Sequence, residues 1–96
     1  MDRVQLENYV IKVLTQELSK EELPIKLAFF KRLWSNNVID EPRLLKGCIN
    51  HFYDNVFKEN NHCTKDSVMD TAIEFEITIS KVKNTIYDFS HVRLIF

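Results

Sequence analysis

The chain has 96 residues, 45% of them hydrophobic and 28% charged, with a net charge of −1. That length suits one domain with one buried core, and the charge balance differs from the strongly basic composition of many nucleic-acid binders and of membrane-surface helices. Gly47 is the single glycine, where about seven are ordinary; this excludes a glycine-rich phosphate loop or dinucleotide fingerprint and disfavours a hairpin-rich sandwich.

The expected fold is all-α, a compact bundle of about five helices in one domain. Residues 1–63 form a three-helix part, and 64–96 a helical pair with an apolar tail. In residues 4–18, Leu6, Val10, Val13, Leu14 and Leu18 recur at helical offsets. A second helix over 24–35 places Pro24 in its first turn, where the missing N–H costs nothing. It carries Leu27, Phe29, Phe30, Leu33 and Trp34, and the adjacent phenylalanines predict a central position for it. Asp40 is a good N-cap for a third helix over 41–58, with Pro42 near its start. Leu45, Cys48, Ile49, Phe52, Tyr53, Val56 and Phe57 give its stripe. Thr64 is expected to cap a fourth helix over 65–75 with Val68, Met69, Ala72 and Phe75 inward. Thr78 caps a fifth over 79–89, with Ile79, Val82, Ile86 and Phe89 on one face.

The fourth and fifth helices carry a pattern of their own. Ala72 is a small residue, followed by Phe75 three positions on, Ile77 two further, the polar cap Thr78, and Val82 five after Ile77. Over residues 68–87 this resembles the helix-turn-helix of DNA-binding proteins. Glu76 stands where that family has glycine, and Thr85 where it has an apolar residue. The resemblance implies two short helices locked at a steep crossing, with the second free to enter a DNA groove. It assigns nucleic-acid contact to Thr78, Ser80, Lys81, Lys83 and Asn84, and extends to Tyr87. Lys81 and Lys83 would neutralise phosphates, Ser80 would bind them, and Asn84 would pair with an adenine edge. Residues 64–96 carry Lys65, Lys81, Lys83 and Arg93 against Asp66, Asp70, Glu74, Glu76 and Asp88. The carboxylates of the fourth helix and the turn would oppose a polyanion.

The expected function is a small non-enzymatic regulator that binds DNA, as a dimer because one such helix covers few base pairs. The alternative is a protein-interaction module without nucleic acid. In that case the apolar tail residues Leu94, Ile95 and Phe96 are the partner-binding element, unless they pack on the domain's own helices. Cys48 and His51 share a helix face, and His62-Cys63 follows. Adjacent His62 and Cys63 suit one tetrahedral site poorly, so no metal or cofactor is expected. No Ser elbow and no apolar carboxylate pair points to catalysis. The opening residues lack a basic and apolar leader and no run of 18 apolar residues occurs, so a cytoplasmic location without membrane insertion is expected. Both cysteines are then reduced.

Overall fold

A computed structural model describes residues 1–88 and residue 94. Among these residues the chain is all-helical: α1 (Arg3–Glu17), α2 (Leu23–Ser35), α3 (Glu41–Glu59), α4 (Thr64–Phe75) and α5 (Ile79–Ile86). Each start has a local cause. Asp2 accepts from the Gln5 N–H while the Gln5 side chain accepts from the Asp2 N–H, a reciprocal box that the sequence reading missed. Pro24 and Pro42 lie in the first turns of α2 and α3, and Asp40 caps α3 by accepting from the Arg43 N–H. The N-cap of α4 is Cys63 rather than Thr64, which is already helical, and no side chain caps that end.

The centre is α3, which packs on α1, α4 and α5. Contrary to the expectation from Phe29 and Phe30, α2 is peripheral and packs on α1 alone among the helices. Only its Trp34 is fully buried, and Phe29 is 64% exposed. Ile25 and Phe29 recur on a stripe that no other helix covers, so aromatic content alone did not locate the core. Trp34 is held from several sides. Its indole N–H donates to Glu7 Oε2 at 3.0 Å, and the Arg3 guanidinium lies 4.0 Å over its ring. Arg3 also donates to the Trp34 carbonyl at 2.8 Å and pairs with Glu41 at the start of α3.

Two apolar clusters fill the interior. The larger joins Leu6, Tyr9, Val10, Val13 and Leu14 of α1 to Trp34, Cys48, Ile49 and Phe75. The smaller is Val68, Ala72 and Val82, between α4 and α5. Ile77 packs against both and bridges them. Phe75 carries α4 into the larger cluster, with its ring 5.4 Å from Tyr9 and 5.7 Å from Phe52. The α1–α3 seam is pinned by His51, whose Nδ1 lies 3.2 Å from the Tyr9 hydroxyl and whose Nε2 lies 2.5 Å from Glu17 Oε1. His51 therefore faces α1, while Cys48 is sealed in the core. Leu94 packs on the larger cluster; Phe89, Ile95 and Phe96 lie outside the described residues. No helix among the described residues is long and apolar enough to cross a membrane.

Cys48 and Cys63 are both free thiols. Burial pushes the Cys48 thiol up to about 12 and raises the Tyr9 phenol as well. Both groups hold their protons in the folded state at pH values where the unfolded chain releases them. Stability is therefore fully present below the unfolded thiol pKa of about 8.5 and declines as pH rises toward 12. For Cys48 the slope is at most about 1.4 kcal/mol per pH unit. Urea midpoints at neutral and strongly alkaline pH test this; a flat response, or no flattening in Cys48→Ala, contradicts it.

Candidate nucleic-acid interface

The connection between α4 and α5 consists of Glu76, Ile77 and Thr78. Glu76 adopts φ 55° and ψ 45°, left-handed backbone at the position where the helix-turn-helix pattern has glycine. Two hydrogen bonds close the helix end: Glu76 N–H to the Ile73 carbonyl at 3.3 Å, and Ile77 N–H to the Ala72 carbonyl at 3.0 Å. This is the paired arrangement of a Schellman stop. The Ile77 side chain completes it by packing into the cluster that holds Ala72. Glutamate thus makes the turn, at a conformational cost of roughly 1 kcal/mol that glycine would avoid. Glu76→Gly is expected to raise the melting temperature by a few degrees and Glu76→Val to lower it. Indistinguishable melting curves for the two would contradict this account of the turn.

The fifth helix then starts on Thr78, whose hydroxyl accepts from the Lys81 N–H at 3.1 Å. The Thr78 hydroxyl accepts as a cap and keeps its own O–H as a donor. Val82 is fully buried, and the second departure from the pattern, Thr85, is also buried. Its hydroxyl donates to the Lys81 carbonyl four residues back at 2.9 Å, leaving the rest of the side chain to pack. Ser67 and Thr71 use the same device on α4, with bonds of 2.6 and 2.7 Å to the Cys63 and Ser67 carbonyls. Hydroxyl residues thus occupy inner positions that an apolar pattern does not reveal.

The outer arc of α5 is not covered by the described residues. Ser80, Lys83, Asn84 and Tyr87 are exposed, as is Ile79, which was expected inside. At 100° per residue, Ile79, Lys83 and Tyr87 form one stripe. That stripe faces the first half of α4 across a crevice of about 560 Å³, whose other wall is Thr64, Lys65, Val68 and Met69. Met69 was also expected inside and is 43% exposed. The crevice therefore holds two cations from different helices, Lys65 and Lys83, and no carboxylate among its described lining. Asp66, Asp70 and Glu74 lie on the neighbouring stripe of α4, turned about 100° from Lys65 and Met69. Asp70 is further occupied by Asn60 Nδ2 at 3.0 Å.

The predicted contact residues do not all share one face. Ser80 and Asn84 lie between Lys83 on one flank of α5 and Lys81 on the other. There Lys81 lines a separate recess of about 280 Å³ with Met1, Asp2, Arg3 and Glu41. In that recess Arg3 pairs with Glu41, so cations and carboxylates are mixed around Lys81. Lys65, outside the expected contact set, lines the same crevice as Lys83; its spacing of four from Met69 is the signal in the sequence. Leu94 is half-buried and lines an apolar groove with Phe29, Phe30, Leu33, Ile39 and Leu44. No protein-family model matches the chain, and no curated protein or solved structure is detectably similar to it.

Proposed function

We propose that the protein is a small non-enzymatic regulator that binds duplex DNA, with the outer arc of α5 in the major groove. The observation that carries this reading is the crevice between α4 and α5, which Lys65 and Lys83 both line and no carboxylate among the described residues does. The overall charge of −1 does not oppose it, because phosphate attraction depends on the local field within about a Debye length, about 10 Å at 0.1 M salt. Eight residues of α5 span about 12 Å and reach only a few base pairs. A specific site then needs two copies of the chain on half-sites about 34 Å apart.

Fluorescence anisotropy with a labelled duplex across a salt series tests the reading. Two phosphate contacts in each copy give a slope of log affinity against log salt near −2 per copy bound. Absence of binding, or binding indifferent to salt, removes it. A second reading, a protein-interaction module without nucleic acid, is favoured by a different surface. Ile25 and Phe29 leave the α2 face apolar and open beside the groove that Leu94 lines. On that reading Phe29→Ser changes self-association or partner capture, and Lys83 is immaterial.

A further inference from the structure

The crevice that carries the cations also carries apolar groups that the fold leaves unburied. Ile79, the first residue of α5, is 46% exposed, Met69 is nearly as open, and Tyr87 stands at the far end of the same stripe. A purely electrostatic phosphate clamp has no use for them. Among the groups that base edges present in the major groove, the thymine C5-methyl is the apolar one. The start of the second helix is the part that meets base edges in helix-turn-helix docking, and Ile79 occupies that start.

We infer that α5 reads thymine in a duplex, through contact of the thymine C5-methyl group with Ile79 and Met69 between the flanking cations Lys65 and Lys83. The inference rests on the DNA-binding reading above and adds its base preference. Asn84 lies about 140° round the helix from Ile79 and outside the crevice, so the base preference rests on the methyl contact alone, and the recognised element is A·T-containing.

The test uses four duplexes of about two helical turns each. They are alternating A·T, the same with deoxyuridine for thymidine, alternating G·C, and the last with 5-methylcytosine. Uracil lacks only the methyl group, and 5-methylcytosine places a methyl at the equivalent ring position. Removing the methyl is expected to weaken binding about fourfold, the ratio for burying one such group; adding it to G·C tightens binding comparably. Ile79→Ala abolishes the difference and Ile79→Leu keeps it, with circular dichroism checking that each remains helical. Met69→Ala, at a second exposed position, is expected to reduce the difference. Equal affinity of the wild-type chain for thymine and uracil duplexes, with salt-dependent binding intact, overturns the inference and leaves DNA binding standing. Failure to bind any of the four overturns both.

Discussion

Lys83→Glu is expected to weaken duplex binding at least tenfold at about 0.1 M salt and to flatten the salt slope by more than one. Lys65→Glu should act almost as strongly, because Lys65 lines the same crevice from α4. Lys81→Glu should do much less. Lys81 sits with Asp2, Arg3 and Glu41 on the far flank, outside the crevice and in a field of mixed sign. All three lysines are exposed, so folding should survive each change within about 0.5 kcal/mol. The ranking is the informative result. Equal losses at Lys81 and Lys83 would mean that charge acts generally and not through the crevice. No loss at Lys65 or Lys83 would remove the proposed interface.

Phe75→Ala carries the largest expected cost in stability, about 3 to 5 kcal/mol. Phe75 is fully buried and is the residue of α4 that enters the larger cluster, against Tyr9 and Phe52. Domains of this kind hold only about 5 to 15 kcal/mol in total, so the variant should be near unfolding at ambient temperature. Phe75→Leu, which leaves a smaller void, should retain a cooperative transition at lower urea. Val82→Ala removes less surface from the smaller cluster and should cost about 1 to 2 kcal/mol. Urea midpoints with unchanged slopes measure all three. A Phe75→Ala loss no larger than that of Val82→Ala would show that the α4–α5 pair does not depend on the larger core.

The helices themselves were legible in the sequence because their causes are local. Pro24, Pro42, Asp40 and Thr78 act on backbone within a few residues, and the spacing from Ala72 through Phe75 to Val82 places three residues that the structure buries. The chain alone could not settle whether Glu76 would turn. That depended on closing two carbonyls and burying Ile77 against both clusters.

Which apolar residues face inward was decided by neighbours distant in the chain. Phe29, Met69 and Ile79 have the composition of core residues and lie exposed, while Ser67, Thr71 and Thr85 are buried because each hydroxyl is satisfied one turn back. Periodicity gives a helix its stripe but not the helix that will cover it, since burial is set by where the other elements pack. The same holds for charge. The acidic and basic residues of 64–96 nearly cancel when counted along the chain, yet the fold turns Lys65 and Lys83 toward one crevice and leaves the carboxylates outside it. Electrostatic attraction falls with distance in space, not in sequence, so only the packed helices could separate the two signs.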